Sequence, residues 1–349
     1  PIFFSFFGDE EEAYVELVLY HPGTHKAADI HIPGNTATLL RALGKYGPVS
    51  TLYRKENLEP LRAAVADLAR VSVPFHVDLD AAALARIVDL LGGVEVFVPN
   101  PVDLTQGDRR VLFPSGSVVM DGDKALDFLR YADPQETALE KVDRRQKLLK
   151  SLLVRIGESG DYLLGPRVIG AARAAIPTNI TGRGFESFIR EMARLAGDEV
   201  SFARALGKEQ AVDGVTVLFP ADDGQQLKAR VAQRMEAIAT FETAEVEEST
   251  ITVEVLNGTE VTGLARRAKA HLESFGIVVP LTTLQNADRQ DYQYTVVIDR
   301  RGTPGAARRV ADIIKCDRIT TLADAAPDST IDVTVILGRD FDGKYVQKN

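Results

Sequence analysis

Residues 73–99, VPFHVDLDAAALARIVDLLGGVEVFVP, hold the pattern that decides the fold. Val73 to Leu79 is a short run carrying β-branched and aromatic residues, the composition of a strand. Asp80 has a side-chain oxygen placed to cap a helix, and the Ala- and Leu-rich residues 81–91 continue it. Gly92-Gly93 ends the helix, because glycine takes the left-handed closing turn at little steric cost. Val94 to Val98 returns as a strand and stops at Pro99. Strand, helix and strand joined by such short connections predict a sheet with helices packed on it.

The same alternation extends outward. Before it, the apolar runs 2–7 and 14–20 flank an acidic turn, Gly8 to Glu12. His21-Pro22-Gly23 then turns the chain into a third strand, Ala27 to Ile32. Leu58, Leu61, Val65 and Leu68 share one face of a helix over 58–70. Beyond it, helices are expected over 122–130 and 138–156, and residues 160–240 read as mainly helical with strands at 199–204 and 213–219. This order predicts a three-layer α/β/α domain over 1–241. Residues 242–250 are acidic, lack an apolar face and read as a solvated linker. Residues 251–349 then repeat strand and helix signals at 251–256, 263–275, 277–284, 294–299, 304–315 and 331–337. That order, βαββαβ, predicts a small α+β domain, with a ferredoxin-like sandwich as one form.

A length of 349 residues suits two domains, and 45% hydrophobic with 26% charged residues is an ordinary globular balance. The net charge of -9 argues against nucleic acid, whose binding needs a basic surface. Cys316, the single cysteine, excludes an intrachain disulfide or a multi-cysteine zinc site and reads as a small apolar residue after a helix. No apolar run approaches the roughly 20 residues that cross a bilayer; any signal or anchor would lie upstream of Pro1. His21 and His25 have a metal-like spacing, but Pro22-Gly23 forbids the helix that would use it. His31 and His76 read as ordinary sheet residues. No phosphate loop and no nucleophile elbow is present.

Two separate stretches resemble one known family. Leu90–Pro99, then Phe113-Pro114-Ser115-Gly116, Met120-Asp121-Gly122 through Leu126, Leu129-Arg130-Tyr131, and Asp143-Arg144-Arg145-Gln146 follow the motif order of the LytR–CpsA–Psr (LCP) domain. Val253–Thr259, Gly263-Leu264-Ala265 and Gly276 resemble the LytR C-terminal domain that often follows it. The resemblance implies an extracytoplasmic, membrane-anchored cell-envelope protein. It also implies an apolar pocket for polyprenyl phosphate, arginines on a pyrophosphate, and Mg²⁺ held by acidic residues. Transfer of a polyprenyl-linked glycan to peptidoglycan is the chemistry that follows. Guanidinium forks suit phosphate oxygens, and Mg²⁺ offsets the charge of phosphoryl transfer.

The chain departs from that pattern where the chemistry sits. The family's Arg-Asp after Ile-Pro is here Gly34-Asn35, which removes one clamp and one charge. Its metal-binding aspartate falls on Ala13, and the second arginine of its Arg-Tyr-Arg on Ala132. Asp9 keeps an acidic position and is the candidate metal ligand. Glu10, Glu11 or Glu12 could replace the lost carboxylate, or could simply form a solvated hairpin turn. Arg130, Arg144, Lys141 and Arg145 remain as a phosphate-binding cluster. Residues 139–147 also fit a solvated helix face with i,i+4 pairs.

Three readings follow. The first is a non-catalytic or weakened homologue of a glycopolymer phosphotransferase, binding a polyprenyl-phosphate lipid, an envelope glycan or a protein partner. The second is an active Mg²⁺-dependent transferase with relocated carboxylates. The third is a scaffold working through its C-terminal domain.

Overall fold

The computed structural model describes residues 2–7, 13–41, 43–98, 101–106, 109–131, 133, 136, 138–195, 200–240, 251–301, 304–321 and 330–347. The acidic turn with Asp9, the position Ala132, and the linker 242–250 lie outside these residues. Among the described residues the chain packs as two compact units. The first takes residues 1–94, 120–130 and 148–241; the second takes 95–119, 131–147 and 242–349.

In the first unit, β1 (Ile2–Phe7), β2 (Ala13–His21) and β3 (Lys26–Ile32) run antiparallel in sequence. A hairpin of β4 (Ala37–Leu40) and β5 (Lys45–Pro48) leads to α1 (Glu59–Ala69), β6 (Phe75–Leu79) and α2 (Ala81–Leu90). The strand, helix and strand of this stretch all form, but the second strand, 94–98, pairs with 116–120 in a separate two-stranded sheet rather than joining the first. Asp80 Oδ1 accepts the Ala83 N–H at 2.7 Å, capping α2. Gly92 and Gly93 close it at φ 73° and 101°. The chain then passes mostly into the second unit with β7 (Val94–Val98), the hairpin β8 (Val102–Gln106) and β9 (Arg109–Phe113) and β10 (Gly116–Met120), and returns to the first with α3 (Gly122–Arg130). A Cβ on Gly122 would lie 2.5 Å from the Ala85 carbonyl oxygen, so only glycine lets α3 cross α2 this closely.

Helix α4 (Ala138–Glu158) is followed by α5 (Gly160–Leu163), α6 (Pro166–Ala175), α7 (Arg183–Met192) and β11 (Val200–Arg204). A second hairpin, β12 (Gly207–Val212) with β13 (Val215–Pro220), turns at Asp213-Gly214, both at positive φ, before α8 (Gln225–Ala239). The main sheet has the order β11-β3-β2-β1-β6, with β11 parallel to β3 and β6 parallel to β1. Val15, Leu17, Leu19, Ala28, Ile30 and Ile32 bury one face of it against Leu61 and Val65 of α1 and Leu227 and Val231 of α8. Beside edge strand β6, residues 177–179 bond to its backbone: Asp78 N–H donates to the Pro177 carbonyl and His76 N–H to Asn179 Oδ1.

In the second unit, β14 (Val253–Asn257), α9 (Leu264–Glu273), β15 (Leu284–Asn286), β16 (Val296–Asp299), α10 (Pro304–Ile314), β17 (Ile319–Thr321) and β18 (Val333–Leu337) form an α+β domain. Its sheet order is β15-β14-β18-β16-β17. Both helices share one apolar cluster with β14, β16 and β18. The sheet is not the antiparallel ferredoxin-like one: β15, β14 and β18 run parallel, β16 is antiparallel to β18, and β17 adds a fifth strand parallel to β16. The expected strand 277–284 is reduced to a bridge at Val278 and the short β15. Pro280 interrupts it, since proline has no N–H to donate to a ladder.

Candidate functional site

The turn Pro33–Thr36 follows β3 directly. Here the resemblance expects an arginine and an aspartate and the chain has Gly34 and Asn35. The turn is tied down from two sides. Ser50 N–H donates to the Gly34 carbonyl at 2.9 Å, and Leu218 N–H of β13 donates to the Asn35 carbonyl at 2.8 Å. The Asn35 amide nitrogen donates to Glu209 Oε1 of β12 at 3.2 Å. The hairpin thus brings a carboxylate against the position where the family carries one. Thr36 is fully buried, and its hydroxyl has no hydrogen-bond partner among the described residues.

Magnesium needs an octahedral oxygen set at about 2.1 Å. Asn35 turns a nitrogen rather than an oxygen toward Glu209, and the described residues hold no group of three or more His, Cys, Asp and Glu that could ligate a metal. The described part of this turn does not fit Mg²⁺. Ala13, the first residue of β2, lies opposite Phe7 in the ladder.

A second polar group lies on the sheet face opposite the α1–α8 core. Strand register places Arg204 opposite His31 and His31 opposite Glu16, and side chains two apart share a face. His31 Nδ1 is 2.8 Å from Glu16 Oε1, with both side chains 1% exposed. The Tyr14 ring packs 5.4 Å from the His31 ring, and buried Asp29 follows on the same face. At the far end of β2 the Tyr20 hydroxyl donates to Glu191 Oε2 at 2.8 Å and lies 2.9 Å from His25 Nδ1. Burial, reinforced by Glu191, pushes the Tyr20 phenol above its ordinary range. The sequence signal for this group was charge at alternating positions of apolar strands. His31 is a sheet residue as read, but one inside an ionisable row.

The family-type arginines fall in both units. Arg130 ends α3 in the first unit and is exposed. Lys141, Arg144 and Arg145 lie in the opening turns of α4, within the second unit. Arg144 is buried and fully engaged. Its Nε donates to Glu136 Oε1 at 2.7 Å, and its Nη2 to Glu136 Oε2 at 2.6 Å. Nη2 also donates to the Tyr131 carbonyl at 3.0 Å, and the guanidinium stacks 3.9 Å over the Tyr131 ring. Burial pushes the Tyr131 phenol up to about 12, against the opposing pull of Arg144. Lys141 and Arg145 are partly buried on the same helix. Beside them Asp143 pairs with Lys147 at 2.7 Å and accepts from the Thr320 hydroxyl at 3.2 Å. Glu136 was missed in the sequence because it precedes its partner by eight residues, across a helix start rather than at i,i+4.

A mixed sheet between helical layers, followed by a small α+β domain, is the class this architecture defines. Solved structures sharing the fold include Bacillus subtilis TagV, at TM-score 0.57 and 16% identity over 67% of this chain and 96% of that one. TagT bound to LI-WTA matches at TM-score 0.53 and 14% identity, over 67% and 90%. The family model for LytR_cpsA_psr matches residues 29–233, and that for the LytR cell envelope-related transcriptional attenuator matches 250–341. The chain belongs to the LytR_cpsA_psr family. It is 25% identical over 254 residues to the Corynebacterium glutamicum cell wall biosynthesis protein LcpA, covering 67% of this chain and 47% of LcpA. It is 25% identical over 168 residues to the Bacillus cereus polyisoprenyl-teichoic acid–peptidoglycan teichoic acid transferase TagU, covering 47% and 53%. The chain therefore spans about half the length of these relatives.

Proposed function

We propose that this chain is the extracytoplasmic part of a membrane-anchored cell-envelope protein, one that binds a polyprenyl-phosphate lipid or phosphate-bearing glycan and transfers it poorly or not at all. The names of LcpA and TagU support the envelope setting and the ligand class. The observation that carries the loss of transfer is the Arg144–Glu136 fork. A guanidinium already bound bidentately and neutralised by a carboxylate offers little to a pyrophosphate, which would have to displace that carboxylate. Gly34 and Asn35 remove a cation and an anion from the turn after β3, and Glu209 adds negative charge there. Electrostatic stabilisation is usually the largest catalytic contribution, so these changes strike transfer more than binding. Mg²⁺ would supply charge neutralisation if Asp9 and its acidic neighbours hold it.

The test incubates the purified chain with Mg²⁺, a polyprenyl-pyrophosphate glycan and peptidoglycan fragments, and measures both binding and transfer. Binding without turnover is expected. Efficient Mg²⁺-dependent transfer would overturn the reading in favour of relocated carboxylates.

A further inference from the structure

The C-terminal domain carries a cationic surface that none of this chemistry uses. In α9, Leu264, Ala268 and Leu272 face the core, leaving Arg266 and Arg267 exposed. The Arg267 guanidinium lies over Gly343: a Cβ there would meet its Nε at 3.0 Å and Cζ at 3.6 Å. Gly343 belongs to a tight turn in which Asp342 Oδ1 accepts the N–H groups of Lys344 and Tyr345, both at 2.8 Å. The turn presents Lys344 to solvent and sets the Tyr345 ring beside His271, 5.0 Å away and edge-on. From the end of α10, Lys315 reaches over the same ring, its Nζ 4.4 Å from the centroid.

Two features set this apart from a solvated helix face. Lys315 holds φ 55°, a left-handed position where glycine costs less, and that conformation ends α10 beside the ring its ammonium covers. Among the described residues, none of Arg266, Arg267, Lys315 and Lys344 is in an ion pair. Asp342 is the acid within the turn, and its carboxylate is taken up by backbone N–H groups and the Gln347 amide. On a chain of net charge -9, Lys315 over the Tyr345 ring, Arg267 over Gly343 and the adjacent exposed Lys344 gather three cations at one turn.

We propose that Arg267, Lys315, Lys344 and Tyr345 form a binding surface for a phosphodiester-linked glycan chain. The cations pair with backbone phosphates and the Tyr345–His271 edge lies against sugar. This rests on the reading that the protein works on phosphate-bearing envelope glycans, and it assigns the C-terminal domain the task of holding the polymer.

The experiment uses the full chain and two probes, a synthetic poly(glycerol phosphate) oligomer and neutral dextran, over a range of salt. Wild type is expected to bind the phosphate oligomer and not dextran. Arg267→Gln with Lys344→Gln should weaken binding at least tenfold and reduce the slope of log K against log salt by about 2, one unit for each cation–phosphate pair removed. Tyr345→Ser should weaken binding at unchanged salt slope. Arg41→Gln, at a highly exposed arginine of the first unit outside this surface, should leave this binding intact, whereas failure of the reading above shows in the lipid-binding and transfer assay instead. An unaltered melting curve verifies that the exposed substitutions leave the fold intact. Equal binding of dextran, an unchanged affinity in the double variant, or tighter binding to anionic lipid vesicles than to the oligomer would overturn the proposal.

Discussion

Arg144 and Glu136 form a bidentate pair, with both carboxylate oxygens bonded and the arginine side chain 4% exposed. Removing one member leaves the other charged and largely desolvated. Arg144→Ala should therefore lower stability by roughly 3–5 kcal/mol, read as a shift in the urea midpoint at unchanged slope. Glu136→Gln frees the guanidinium and should raise affinity for pyrophosphate. A Glu136→Gln protein that binds pyrophosphate no better than wild type would show that Arg144 does not face a ligand.

Asn35 and Glu209 yield a second expectation. Asn35→Asp sets two carboxylates against each other at the exposed turn after β3. The cost should be small, about 0.5 kcal/mol, since solvent screens exposed charges. It should vanish in Asn35→Asp with Glu209→Gln, or on adding Mg²⁺ if the pair now chelates it. A double-mutant cycle in urea, with and without Mg²⁺, measures both effects.

The His31–Glu16 pair is a deeply buried polar contact of the main sheet, both side chains being 1% exposed. His31→Leu deprives a buried carboxylate of its imidazole partner and should cost roughly 3 kcal/mol. His31→Leu with Glu16→Leu should recover most of that loss, because apolar replacement of a whole buried pair is often neutral. Additive losses would show that Glu16 depends on other partners instead.

His76 makes stability depend on pH. Burial, with help from the charge of Arg62, lowers the pKa of its imidazole. Folding therefore favours the neutral ring, while the unfolded ring titrates near its ordinary value of about 6.5. The contribution is present above that pH and is lost as pH falls below it. Urea midpoints measured from pH 8 to 5 should fall, and His76→Gln should flatten the lower part of that curve.

Much of the architecture was written in local signals. Asp80, Gly92 and Gly93 marked both ends of α2, and the apolar spacing in 58–70 marked α1. What escaped was structure set by distant partners. The hairpin of β12 and β13 carried an Asp213-Gly214 turn, a strong hairpin sign, yet its polar strand β12 exposes most of its side chains and has no apolar face to read. The polar row of Glu16, His31 and Arg204 exists only once three strands are in register. The site was legible as a set of replaced positions, Gly34, Asn35 and Ala13. The carboxylates that answer the remaining polar groups, Glu136 and Glu209, follow no local rule.

Residues 242–250 remain the expected boundary between protease-resistant pieces. Arg318 stacks between Phe97 and Tyr294, 5.5 and 5.0 Å from their ring centroids, and Thr320 bonds Asp143. After cleavage in 242–250, the two fragments should co-elute on gel filtration, and Arg318→Ala should let them separate. Separation of the wild-type fragments would count against this packing.

The strip of chain at residues 177–179 bears on how the protein behaves in a crowd. An exposed edge strand is a template for another molecule's strand. Here the Asp78 and His76 amides, which would recruit one, are already spent on Pro177 and Asn179. That border of the sheet is self-terminating, so neighbouring copies crowded together find its outward amides already taken.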